Sequence, residues 1–90
     1  MVVMNPYSDK KQIQGLERTF FQSVDSHELV WHRDHCHRLV TVVEGNGWQL
    51  QMDNCMPCNL KPGDVVRIPR DTFHRLLKGS GDLKLLIVED

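Results

Sequence analysis

LKPGDVVRIPRDTFHRLLK, residues 60–78, carries the clearest structural instruction in the chain. Two short apolar runs alternate with turn residues. Pro62-Gly63 marks a turn, because proline presets φ at the first central position and glycine accepts a left-handed second one. VVRI, residues 65–68, reads as a strand closed by Pro69, which cannot donate to a ladder. TFHRLLK, residues 72–78, reads as the next strand.

The same punctuation continues in both directions. Downstream, GSGD is a turn and LKLLIVE a last strand. Upstream, RLVTVVE is β-branched and runs into Gly45-Asn46-Gly47. WQLQM then alternates, with Trp48, Leu50 and Met52 on one face and Gln49 and Gln51 on the other. The two runs with their glycine-containing turn predict a β-hairpin. DNCMPCN is turn-rich and predicts a hairpin tip. HELVWH has period two, TFFQSV favours a strand, and Gly15 interrupts any helix. About six or seven short strands at this spacing predict an all-β sandwich or small barrel.

The 90 residues predict one domain. Apolar residues make up 40% and charged residues 26%, an ordinary globular balance. A net charge of -1 argues against a nucleic-acid partner. No apolar run reaches the ~20 residues of a membrane span, and MVVMNPYSDKK is too short for a signal-peptide core. The expectation is a cytoplasmic protein without a membrane partner. Cys36, Cys55 and Cys58 are an odd set, so free thiols or metal ligands are expected. The lone C-x-x-C of Cys55 and Cys58 lacks the second pair that a zinc ribbon needs, and reads as a turn.

Two stretches, VVEGNG and LKPGDVVRIPRDTFH, resemble the two motifs of the small stand-alone cupins. The second motif, G-x5-P-x-G-x2-H-x3-N, is matched by Gly63, Pro69 and His74, with Asp71 in the glycine slot and Lys78 in the asparagine slot. The first, H-x-H-x3-4-E-x6-G, departs. Counting back from Gly45 places Arg38 in the glutamate slot and His32 and Asp34 in the histidine slots. The literal H-x-H, His35-Cys36-His37, sits three residues too close to the glycine. The resemblance covers residues 27–90 and implies a cupin-like antiparallel β-barrel, a jelly roll or double-stranded β-helix. It also implies a homodimer, with residues 1–26 as an N-terminal strand or arm that adds to its own barrel or to a partner's.

Candidate metal ligands are His32, Asp34, His37 and His74. Positions i and i+2 of a strand share a face, so His32 and Asp34 can point inward together, with His74 arriving from a neighbouring strand. Two histidines and a carboxylate are a facial set for iron, and manganese, nickel or zinc would also accept it. Arg38 cannot ligate a metal. It either pairs with Asp34 or holds an anionic substrate. A metal-dependent enzyme of isomerase, lyase or dioxygenase type and a metal-free small-molecule-binding barrel both remain open. Arg38, Trp48, Gln49 and Arg67 are the candidate ligand-binding residues, suited to a small polar anion if the arginines face inward.

Overall fold

The computed structural model describes residues 7–12, 15–23 and 25–90. These residues form eight strands and one short 3₁₀ turn. The strands are β1 (Tyr7–Gln12), β2 (Gly15–Phe20), β3 (Arg38–Asn46), β4 (Gln49–Met52), β5 (Cys58–Asn59), β6 (Val65–Ile68), β7 (His74–Leu77) and β8 (Ser80–Glu89), with the 3₁₀ turn at His27–Leu29. They make two antiparallel sheets, ordered β1-β2-β8-β3-β6 and β5-β4-β7. The all-β architecture expected from the sequence is present. The two sheets face one another, and no ladder joins them among the described residues. No described helix is long and apolar enough to cross a membrane.

Period-two alternation sorts the side chains. Val40 and Val42 of β3, Leu83, Leu85 and Ile87 of β8, Ile68 of β6, Leu50 of β4 and Leu76 of β7 all point between the sheets. Their alternates, such as Leu39, Val65 and Arg67, point outward. β2 pairs with β8, and Phe20 at its end is buried in the common core. β1 and β2, within the stretch expected as an N-terminal arm, belong to the five-stranded sheet; residues 1–6, 13, 14 and 24 lie outside the described residues.

The predicted hairpin between the runs at 38–44 and 48–52 does not form. β3 pairs with β6 and β8, whereas β4 belongs to the other sheet. Two register shifts in the β3–β8 ladder, between Val42 and Glu44 and between Glu44 and Asn46, bend β3 toward the second sheet. Gly47, at φ +75°, completes the corner. The β7–β8 corner lies against it. A Cβ on Gly79 would sit 2.2 Å from the Asn46 carbonyl oxygen and 2.4 Å from Trp48 N. The glycines that looked like a hairpin turn are thus a sheet-switching corner, held by a second corner that leaves no room for a side chain. Trp48 is 1% exposed between the corners and donates its indole N–H to the Gly81 carbonyl at 3.1 Å.

The turn from β6 to β7 explains the sequence departure at position 71. Asp71 has φ +60°, the left-handed conformation that a glycine slot serves and that aspartate tolerates better than most residues. Its N–H donates to the Asp34 carbonyl at 2.7 Å, clamping the 30–34 segment.

Gly79→Ala is expected to lower stability by at least about 2 kcal/mol, because the contacts it creates are with backbone atoms that cannot rotate away. Chemical denaturation measures this, and a change below about 0.5 kcal/mol would show that the corners do not touch as described.

Candidate metal centre

His32 lies outside the regular strands and is attached to β7 by a single bridge. His32 N–H donates to His74 O at 3.1 Å, and His74 N–H donates to His32 O at 2.9 Å. Directly opposed residues on paired strands project to one face, so both imidazoles turn inward. They are 6% and 2% exposed, with ring centroids 4.3 Å apart. Each ring is held the same way. His32 Nδ1 lies 2.8 Å from the Val30 carbonyl oxygen, and His74 Nδ1 lies 2.8 Å from that of Thr72. A carbonyl oxygen accepts and never donates, so both Nδ1 atoms carry the proton and both Nε2 atoms face the interior.

Glu28 is the third member. It sits in the 3₁₀ turn, whose start is capped by Ser26 Oγ accepting from Glu28 N–H at 3.1 Å. One ligand atom each from Glu28, His32 and His74 lie within 4.8 Å of one another. Glu28 Oε2 contacts His32 Nε2 directly. With Nδ1 already protonated, a neutral His32 would set a nitrogen lone pair against a carboxylate oxygen. A cation must lie between them, either a proton on Nε2 or a metal ion. Two imidazoles pre-oriented by backbone carbonyls, plus one carboxylate, fit a divalent first-row transition ion.

Two guanidiniums surround the group. Arg18 lies 2.9 Å from Asp9 Oδ1 and 3.5 Å from Glu28 Oε1. Arg38 Nη1 is 3.1 Å from Asp34 Oδ2 and 3.7 Å from Glu28 Oε1, and its Nη2 is 3.5 Å from Glu89 Oε1. Asp34 Oδ2 also stands 3.2 Å from His74 Nε2. Among the described residues, the carboxylates of Asp9, Glu28, Asp34 and Glu89 stand around these two guanidiniums. Below the group lies a cavity of about 30 Å³, edged by Glu28, Arg38 and His74 and floored by Phe20, Leu60, Ile68 and other core residues. It has room for a water molecule or an ion.

Of the residues expected at a metal, the structure brings His32 and His74 together and sets Asp34 beside them, tied to Arg38. His37 is elsewhere. Its Nδ1 accepts the Arg70 N–H at 3.1 Å, and its carbonyl accepts the Asp90 N–H at 2.9 Å. The His35 side chain is 90% exposed, 3.6 Å from Asp71. Of the expected ligand-binding residues, Arg38 faces the cavity. Trp48 lies in the core and is not among the residues lining the cavity. Gln49 points outward and donates to Asn59 Oδ1 at 2.9 Å, and Arg67 is exposed on the outer face of the larger sheet. Glu28 was missed. The period-two reading of HELVWH places it on the His32 face, whereas the motif count from Gly45 points to positions 34 and 38.

Burial alone would push Glu28 up and His32 down, toward their neutral forms. Their mutual contact, with Arg38 and Arg18 beside Glu28 and Asp34 beside His32, outweighs burial, so Glu28 is lowered and His32 raised. The raised His32 stabilises the fold below its unfolded pKa, and this is lost as pH rises through the folded value. The lowered Glu28 stabilises above its unfolded pKa, and this is lost as pH falls through the folded value. Metal-free protein is therefore expected to be most stable between about pH 4.3 and 6.5, the unfolded values of glutamate and histidine. Denaturation midpoints across pH in chelator test this. Glu28→Gln should flatten both limbs and cost about 1–3 kcal/mol inside the window; an unchanged profile would show the pair is not formed.

Comparison with known proteins shows the fold. No family model matches the chain, and no curated protein matches it in sequence. Solved structures do. A protein of Ralstonia eutropha JMP134 named "putative mannose-6-phosphate isomerase" superposes with a TM-score of 0.65 at 17% identity, over 92% of this chain and 81% of that one. Protein NMB1881 from Neisseria meningitidis superposes with a TM-score of 0.63 at 13% identity, over 98% of this chain and 87% of that one. At such identities the similarity is one of fold, and the fold is cupin-like.

Proposed function

We propose that this chain is a small metal-dependent enzyme of cupin type, which holds a divalent ion on Glu28, His32 and His74 and binds a small anionic molecule beside Arg38. The supporting observation is the matched pair of Nδ1–H···O=C bonds, which leaves both inner ring nitrogens facing Glu28. When bound, the ion supplies Lewis-acid polarisation of a substrate oxygen.

The protein's own groups do the rest. Val30 and Thr72 carbonyls fix the two imidazoles. Asp34 stands between Arg38 and His74, so a permanent cation is tolerated beside a metal site. Arg38 then orients an anionic group at the mouth, and the apolar floor keeps bulk water from the reacting face. Isomerase, lyase and dioxygenase reactions suit such a site, and the name of the Ralstonia neighbour supports the first. A second reading, a metal-free binding module, is favoured by the Glu28–His32 ion pair, in which a proton takes the place of the ion.

Elemental analysis of protein purified without chelator separates the two. The enzyme reading expects one transition ion per chain, held at least about 100-fold more weakly in Glu28→Gln and His74→Ala. Arg38→Lys should keep the ion but lose affinity for small anions by about tenfold. Metal-free protein that gains no ion on titration would establish the binding module. An ion lost in Cys55→Ser or Cys58→Ser, and kept in Glu28→Gln, would move the site to the β4–β5 turn.

A further inference from the structure

On the outer face of the small sheet, the His32–His74 bridge sets Trp31 opposite Arg75 and Arg33 opposite Phe73. Each arginine stacks on an aromatic ring. Arg75 Cζ lies 4.7 Å from the Trp31 ring centroid, and Arg33 Cζ lies 5.4 Å from that of Phe73. The rings are 42% and 43% exposed, and neighbouring Val30 is 55% exposed. Arg75 has a neutral partner, Gln51 Oε1, at 2.9 Å. Among the described residues, neither guanidinium meets a carboxylate.

The backbone beside these side chains is also unpaired. His32 spends both of its main-chain groups on His74. Its neighbours Trp31 and Arg33 therefore turn their N–H and C=O groups the other way, toward the open rim of the sheet. None of these four groups has a partner among the described residues. Alternate residues with paired donors and acceptors are the template that an added antiparallel strand requires.

We propose that residues 31–33 form a docking edge for an extended acidic segment of another protein. That segment pairs with the main chain of Trp31 and Arg33 and places carboxylates on Arg33 and Arg75. A second copy of this chain fits poorly, because two such edges side by side would gather four guanidiniums. A nucleic acid would satisfy the guanidiniums but offers its phosphates no means of donating to the two carbonyls. The docking does not depend on the metal reading.

The test uses a capped seven-residue peptide of alternating glutamate and threonine, its lysine counterpart, and a short oligothymidylate. Trp31 fluorescence reports binding, Trp48 in the core serves as the silent control, and ¹⁵N spectra follow the Trp31 and Arg33 amides. The glutamate peptide is expected to shift Trp31 emission and both amides, and to bind at least about tenfold more tightly than the lysine peptide. The R33E/R75E variant, shown to be folded by its thermal melt, should reverse that preference. Equal binding of the two peptides, no response, or an oligothymidylate response with both amides unmoved would overturn the proposal.

Discussion

Two main-chain hydrogen bonds between His32 and His74 govern everything this protein presents at its open end. The 27–34 segment has no ladder of its own. It is held by this bridge, by the Ser26 cap on Glu28, and by the Asp71 amide donating to the Asp34 carbonyl. At about 0.5–1.5 kcal/mol each, these bonds fix the segment without making it part of the core. The bridge still sets strict parity. His32 and His74 must face inward together, and Trp31, Arg33, Phe73 and Arg75 must face outward together. A metal-type site and a charged aromatic surface are thus two faces of one pairing.

The inward face is expensive. Arg18 is 9% exposed, and both histidines are more deeply buried. Arg38 Nε is buried without a hydrogen-bond partner, and Asp34 Oδ2 is buried with charged neighbours but no contact of hydrogen-bond geometry. Replacing such a network with apolar residues commonly stabilises a fold, so its burial is not evidence of added stability. The arrangement is also internally ordered. Asp34 and Glu89 attend Arg38, Asp9 attends Arg18, and Glu28 is shared between the arginines and His32. Glu28 and Asp34 stand where the two ring nitrogens converge.

Much of this was legible in the sequence. Strand positions 65–68 and 74–77 followed from the proline and glycine punctuation, and His74 from its spacing to Pro69. The last strand, LKLLIVE, lies within β8. The β3–β4 hairpin was misread, because a Gly-Asn-Gly turn looks the same whether the flanking strands pair or part. The register shifts in β3 and the approach of Gly79 decide between these, and both are tertiary. Glu28 escaped for a related reason. Its carboxylate reaches the site through a 3₁₀ turn and a bridge of one residue pair, and the short period-two run of HELVWH does not separate a metal-side carboxylate from an ordinary exposed one. Trp48, expected as a candidate ligand-binding residue, fills the core instead, because an aromatic residue's place in a strand does not say whether it lines a pocket or packs between the sheets.

In the proposed site, His32 and His74 offer their Nε2 atoms to one cation while their Nδ1 protons stay on backbone carbonyls. Long-range ¹H–¹⁵N spectra of the histidine rings during zinc titration read this atom by atom. The Nε2 signals of positions 32 and 74 are expected to move together to metal-bound values, with both Nδ1–H signals retained. Movement at His35 or His37 instead, or no movement at either bridged ring, would contradict it.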